Sequence, residues 1–267
     1  MPLNLKKICS QVCDLSRETG SFIQKQGKRL TPSHVESKSK NNFVTYVDKE
    51  SERRLVKGLQ KILPGSGFIT EEETIRNEKK KYTWIIDPID GTTNFIHRMP
   101  CYCISIGLYS EEKDEIILGV IYEPNLDEIF YATKNGGAFM NGKKISVSKT
   151  KKLKDSLLVT GFPSFDHSRV EEYISLFRHF MKESHGLRRM GSAAVDMAYT
   201  ACGRFESFYE YGLNPWDIAA GAIIVKEAGG QVSDFSGKNT WLFGKEIIAS
   251  NGNTHKEMIF SVKKFFK

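Results

Sequence analysis

The stretch that decides the fold reads Trp84-Ile85-Ile86-Asp87-Pro88-Ile89-Asp90-Gly91-Thr92-Thr93-Asn94-Phe95. Trp84 to Ile86 form an apolar run that reads as a buried strand, and it leads straight into a carboxylate, Asp87. A lone carboxylate at the end of such a strand is expensive to desolvate, so it needs a partner. Pro88 fixes its own φ and pushes Asp87 toward extended geometry, which predicts a rigid turn. Gly91 permits a tight or positive-φ conformation, and Thr92 and Thr93 are N-cap candidates for a short helix. Two readings stay open from these residues alone. Either this is a capped turn with solvent-facing Asp side chains, or Asp87 and Asp90 offer hard oxygen ligands for Mg²⁺ beside a helix start able to hold phosphate.

Working outward, Phe68-Ile69-Thr70 reads as a short strand leading into Glu71-Glu72-Glu73, and Asp48 to Leu63 as a helix stopped by Pro64-Gly65. Upstream, Leu5, Ile8, Val12, Leu15, Thr19, Phe22 and Ile23 recur at helical spacing, and Thr31 to Asn42 reads as a loop. The lysine-rich Arg76 to Lys81 reads as a linker or loop. Downstream, Cys101–Tyr109, Ile116–Tyr122 and Glu128–Thr133 read as successive strands, with turn chemistry at Asn135-Gly136-Gly137 and Asn141-Gly142. The second half alternates: a strand over Ser156–Thr160, helices near Arg169–Lys182 and Ala193–Cys202, a strand over Phe205–Glu210, and a long helix from Trp216 to Ala228. Hairpins early and alternation later predict an α+β fold of stacked layers, with an antiparallel-sheet half over 1–150 and a mixed α/β half over 151–267 within a single catalytic unit.

Composition narrows the function class. With 40% hydrophobic and 27% charged residues over 267 positions, the chain has the balance of a globular protein with a sizeable core, not of a disordered or fibrous one. No apolar run is long enough for a membrane span, and the N-terminal Met1-Pro2-Leu3-Asn4-Leu5-Lys6-Lys7 lacks the apolar region of a secretory signal. A cytoplasmic location is expected. The five cysteines have no framework spacing and read as free thiols. The net charge of +7 comes from short lysine runs rather than a basic stripe interleaved with aromatics. That reads as solvated surface with some attraction for anionic substrates, so nucleic acid is not an expected partner.

Two further acidic positions bear on the site. Glu71-Glu72-Glu73 alone reads as a solvated loop, and Asp217 after Trp216 as an ordinary helix-start residue. Together with the Asp pair they add the negative charge that divalent ions require.

The chain resembles the inositol monophosphatase family of lithium-sensitive, magnesium-dependent sugar phosphatases. Three blocks carry the resemblance: the opening stretch with Pro100 and Ser105-Ile106-Gly107; Gly186-Leu187-Arg188-Arg189-Met190-Gly191-Ser192-Ala193-Ala194; and Trp216-Asp217-Ile218-Ala219-Ala220-Gly221 through Glu227-Ala228-Gly229-Gly230. Val44-Thr45-Tyr46-Val47-Asp48 and Asn141-Gly142-Lys143 are weaker matches. The resemblance implies a layered α-β-α-β-α fold, a homodimer, lithium sensitivity and two or three Mg²⁺ ions. By the same resemblance Glu71, Asp87 and the Ile89 carbonyl hold a first metal, Asp87, Asp90 and Asp217 a second, and Glu71 bears on a weaker third. Thr92, with Asp48 behind it, orients or deprotonates the attacking water. Gly91, Thr92 and Thr93 bind phosphate, while Asp90, Ala193, Glu210 and Asp217 face the polyol hydroxyls and Glu72 acts indirectly. The implied activity is Mg²⁺-dependent hydrolysis of inositol monophosphate, a small phosphorylated polyol. Fructose-1,6-bisphosphatase or a broader sugar or nucleotide phosphatase is the alternative on the same fold, and an RNA- or protein-binding regulator using the basic loops is the non-enzyme alternative. Thr70 stands where the family usually has Gly, Asn42 where an acidic residue is common, and the Glu73–Lys81 loop is short and basic. None of these departures removes an implied metal ligand.

Overall fold

The computed structural model describes residues 3–39, 42–162 and 167–266. Helix α1 (Leu5–Gly27) buries Ile8, Val12, Thr19 and Ile23 on the stripe predicted from the sequence. The stretch predicted as a loop contains instead β1 (Val35–Ser39), which pairs antiparallel with β2 (Asn42–Thr45) at and beyond the loop's end. Its residues are mostly polar and carry no two-residue apolar period, so no strand signal exists to be read. Helix α2 (Tyr46–Ile62) starts two residues before its predicted position, because Thr45 and Asp48 form a reciprocal capping box.

A seven-stranded sheet follows, running β3 (Gly67–Thr70), β4 (Tyr82–Asp90), β5 (Cys103–Ser110), β6 (Glu115–Glu123), β7 (Glu128–Thr133), β8 (Gly137–Met140) and β9 (Lys143–Lys144) in spatial order, with α3 (Thr92–Ile96) between β4 and β5. Only β3 and β4 pair in parallel. The remaining chain gives β10 (Leu157–Thr160), α4 (Val170–Glu183), β11 (Gly186–Arg188), α5 (Ala193–Ala201), β12 (Ser207–Tyr211) and α6 (Pro215–Glu227). After Gly230, where the sequence reading places no element, come β13 (Gln231–Ser233), α7 (Trp241–Gly244), β14 (Glu246–Ser250) and α8 (His255–Phe265). The five strands among these form a mixed sheet in the order β11-β10-β12-β14-β13.

Three apolar clusters bond the layers. Side chains alternate along β4 and β5: Trp84, Ile86, Ile104, Ile106 and Leu108 face α1 and α2, while Ile85 and Cys103 face α5 and α6. The second cluster continues through α5 and α6 to Val159, Phe208, Ile247 and Ala249 on the smaller sheet. The third joins that sheet's other face, through Leu158, Tyr209 and Ile248, to α4 and α8. The order is therefore α-β-α-β-α. Helix α6 occupies the middle layer, and every residue from Ile218 to Val225 is buried, as expected of a helix that is apolar all round.

Gly107 and Gly119 face each other across β5 and β6. A Cβ on Gly107 would lie 2.9 Å from the Ala219 Cβ, and one on Gly119 only 2.6 Å from the Ala220 carbonyl. This bare patch lets the Ala219-Ala220 ridge of α6 rest directly on the sheet. We expect Gly119→Ala to lift α6 and cost on the order of 2 kcal/mol by overpacking. An unchanged urea midpoint would contradict this packing.

Candidate active site

Strand β4 does not end in a turn at Asp87, as the sequence reading expects; it runs on to Asp90 through an irregularity. Asp87 pairs with Ser105, the pairing then skips Pro88 and Ile89, and it resumes with Asp90 opposite Cys103. Proline has no N–H to give the ladder, and β3 pairs with β4 only as far as Ile86, so the break falls where it costs least. In a regular strand, residues three apart point to opposite faces. The irregularity instead brings a ligand oxygen of Asp87 and one of Asp90 together, and both lie within 4.8 Å of one on Asp217.

Asp217 reaches this point because α6 starts there. It is the third residue of the helix and forms a capping box with Asn214, whose backbone N–H donates to Asp217 Oδ2 at 2.6 Å. The helix-start reading of Asp217 thus holds: one oxygen caps the helix, and the carboxylate has a second. Ser105 Oγ donates to the Trp216 carbonyl at 3.0 Å, fastening the first turn of α6 to β5 beside Asp87. Glu71 follows β3 directly, and the parallel pairing of β3 with β4 brings it out at the same end as Asp87. The loop behind it is held from an unpredicted direction. Buried Glu52 of α2 accepts from the Glu72 N–H at 2.7 Å and from the Thr74 N–H and hydroxyl at 2.7 Å each.

Gly91, and neither of the threonines expected in that role, occupies the N-cap of α3. Its φ of 97° lies in the left-handed region, where a side chain is strained, and a Cβ would meet the Cys101 carbonyl at 3.0 Å. The two threonines start the helix, and Thr92 Oγ1 lies 3.2 Å from Asp48 Oδ1 and 3.0 Å from the Ile89 carbonyl. Asp48 Oδ2 accepts from the Thr45 N–H and hydroxyl at 2.8 and 2.6 Å. The starts of α2 and α3 therefore meet through a Thr92–Asp48 contact.

Asp90 is positioned from the opposite half of the chain. Its Oδ2 accepts from Ser192 Oγ and from the Ala194 N–H, each at 2.7 Å, at the start of α5. One pocket is lined by Glu71, Asp87, Ile89, Asp90, Gly91, Thr92 and Thr93 from the first half and by Ala193, Glu210 and Asp217 from the second. All the expected metal, phosphate and hydroxyl positions share that wall, with Asp48 standing behind Thr92. Three residues with no role in the sequence reading also line it or hold it: Arg189, Ser192 and Asp196. Asp196 carried a readable signal, being a charged residue inside the apolar run Ala193–Ala201.

The electrostatics follow from burial. Burial raises Asp87 well above the ordinary carboxylate range, and the charges of Glu71, Asp90 and Asp217 add to it. Asp217 is raised well above its usual value by burial and then by Asp90. Burial pushes Asp90 up to about 6, although its hydrogen bonds from Ala194 and Ser192 and the Arg189 charge pull the other way. Glu210 is pushed up to about 8 by burial and Asp90. Carboxylates gathered like this lack a compensating charge, and an all-oxygen set of three suits a hard divalent cation.

The inositol monophosphatase family model matches residues 4–265. An inositol-1-monophosphatase from Mesorhizobium japonicum is 39% identical over 248 residues, covering 92% of each chain. A protein named Nus factor SuhB from Pseudomonas aeruginosa is 38% identical over 253 residues, covering 93% of each. The crystal structure of the extragenic suppressor protein suhB from Bartonella henselae superposes with a TM-score of 0.88 at 36% identity, covering 96% of this chain and 98% of that one. On a match that runs from the first helix to the last, this chain belongs to the inositol monophosphatase family.

Proposed function

We propose that the chain is a Mg²⁺-dependent phosphomonoesterase that hydrolyses inositol monophosphate to inositol and phosphate. The observation that carries this reading is the convergence of Asp87, Asp90 and Asp217 within 4.8 Å beside the start of α3. Glu71, Asp87 and the Ile89 carbonyl are the ligand set for one ion, and Asp87, Asp90 and Asp217 for another, with Glu71 bearing on a weaker third. Bound Mg²⁺ would supply neutralisation of phosphate charge and Lewis acidity toward water.

The chain's own residues supply orientation and a proton path. The first N–H groups of α3 have no partner within the helix, so Gly91, Thr92 and Thr93 offer donors to phosphate oxygens. Thr92 carries one hydroxyl proton. When it donates to Asp48 at 3.2 Å, its oxygen is free to accept a proton from the attacking water. Burial holds Asp48 above its usual range, which makes it a better proton acceptor than a solvated Asp. Asp90, Ala193, Glu210 and Asp217 face the polyol, where a carboxyl such as Glu210 can accept from adjacent hydroxyls. A broader sugar-phosphatase activity is the variant of this reading, which the substrate panel below separates.

A second reading, a Nus factor role such as the Pseudomonas aeruginosa relative is named for, draws on that likeness and on the net charge of +7. RNA binding by counterion release would appear as a gel shift that weakens with added salt. No retardation at low salt removes RNA contact from this reading.

Three outcomes test the enzyme. Wild type releases phosphate from inositol 1-phosphate faster than from fructose 1,6-bisphosphate, histidinol phosphate, adenosine 3′,5′-bisphosphate or NADP. Asp90→Asn keeps an acceptor for the Ala194 N–H and so keeps the fold, yet loses activity by about 100-fold or more, as expected when a charged ligand is neutralised; near-wild-type turnover would refute the metal assignment. The third outcome is thermodynamic. In chelator, Asp90 titrates near about 6 instead of 3.8 and Glu210 near about 8 instead of 4.5. The folded state then holds more protons than the unfolded state, so stability is fully present below the unfolded pKa values and is lost as pH rises through the folded ones. Saturating Mg²⁺ should raise Tm by roughly 5 to 10 °C at the upper end of that window and hardly at all at its lower end. An equal gain at both ends would contradict it.

A further inference from the structure

Helix α5 carries one charged side chain, Asp196, in an otherwise apolar and wholly buried run. The residue is 1% exposed, and among the described residues no donor reaches either Oδ1 or Oδ2. It nevertheless forms part of the lining of the active-site pocket, as Ala193 and Glu210 do. An unsatisfied carboxyl in a protein interior carries an uncompensated desolvation cost even when neutral. Asp90, Glu210 and Asp217 all have hydrogen-bond partners within the chain. Among the described residues Asp196 has none, and it borders the pocket.

We propose that Asp196 is a specificity-determining residue that, together with Glu210, receives hydroxyl groups of the substrate polyol. The inference rests on the phosphomonoesterase reading above and extends it to a residue outside the expected hydroxyl-facing set. Geometry favours paired use: Asp196 and Glu210 line the same pocket, and the charge of Glu210 reaches Asp196. Glu210 already takes one backbone hydrogen bond, from Gly161, whose missing side chain leaves room for the carboxyl. A hydroxyl suits this pair better than a cation does. Burial pushes Glu210 up to about 8 and raises Asp196 above its usual range, which favours the uncharged form of each, a form that offers an O–H donor and a carbonyl acceptor. A hydroxyl also donates once and accepts, so the two match without creating charge. A cationic substrate would face the Arg189 guanidinium, whose field reaches Asp90, Asp196 and Glu210.

The test compares two substrates that share the phosphate but differ in hydroxyls: inositol 1-phosphate and 4-nitrophenyl phosphate. Asp196→Ala should lower kcat/KM for inositol 1-phosphate about tenfold, the worth of one such hydrogen bond, and leave 4-nitrophenyl phosphate within about twofold. Asp196→Asn keeps a donor and an acceptor and should recover most of the loss. Equal loss on both esters, no loss on either, or a loss confined to 4-nitrophenyl phosphate overturns the assignment. Failure of both variants to fold makes Asp196 a structural residue and also overturns it. If wild type hydrolyses no ester, the phosphatase reading fails instead, and calorimetric titration with myo-inositol tests the pocket alone. Weaker binding to Asp196→Ala supports the role of Asp196, and unchanged or absent binding by wild type overturns it.

Discussion

Mutual repulsion among buried carboxylates governs this molecule. Asp87, Asp90 and Asp217 place oxygens within 4.8 Å of one another, and Glu71 adds its charge to Asp87. Left alone, such a group would spread apart or take up protons, because low dielectric strengthens like-charge repulsion. The surrounding structure prevents the first response. Asp87 accepts from the Ile89 N–H at 2.9 Å, Asp90 from Ser192 and Ala194, and Asp217 from Asn214, so each carboxylate is held by a different element. What remains is to take up protons, as the raised Asp87, Asp90 and Asp217 show, or a cation, for which this all-oxygen set is suited.

That arrangement depends on a five-layer stack. Asp87 and Asp90 ride on the large sheet, Asp217 on the middle helix layer, and Glu210 on the smaller sheet. Their separation is therefore a matter of layer spacing. The paired glycines Gly107 and Gly119 bring α6 into contact with the sheet, and Ser105 holds its first turn against β5. Two capping boxes also shape the pocket: Asp48 and Asp217 each finish a helix N-terminus, Asp48 in contact with Thr92 and Asp217 in the pocket lining. A substitution at either position would therefore affect folding and chemistry together, which is why Asp90, whose partners survive an Asn, is the more informative variant.

Much of the site was legible in the chain. The apolar strand ending at Asp87, the proline, the glycine and the two threonines predicted a rigid acidic junction, and resemblance to a family placed Glu71, Asp48, Glu210 and Asp217 around it. The errors are local and have physical causes. The polar β1–β2 pair lacks a period to detect. The Asp87–Asp90 segment was taken as a turn, but interstrand pairing tolerates the proline by skipping it. Gly91 displaced the threonines from the N-cap because only its backbone accepts the required φ. Glu52 and Ser192 were passed over because an acidic residue in a polar helix and a serine in a loop look ordinary until their partners are known.

By itself, the sequence determined which residues could be ligands, which segments alternate with which period, and where backbone freedom is needed. These are properties of neighbours in the chain, set by side-chain chemistry and local torsions. Only the tertiary structure decided which carboxylates meet, which hydrogen bonds each already holds, and that Asp196 lines the pocket with none among the described residues. Those facts depend on layers packed from positions far apart in the chain, and a buried group's protonation and unmet bonds exist only once its surroundings have excluded water.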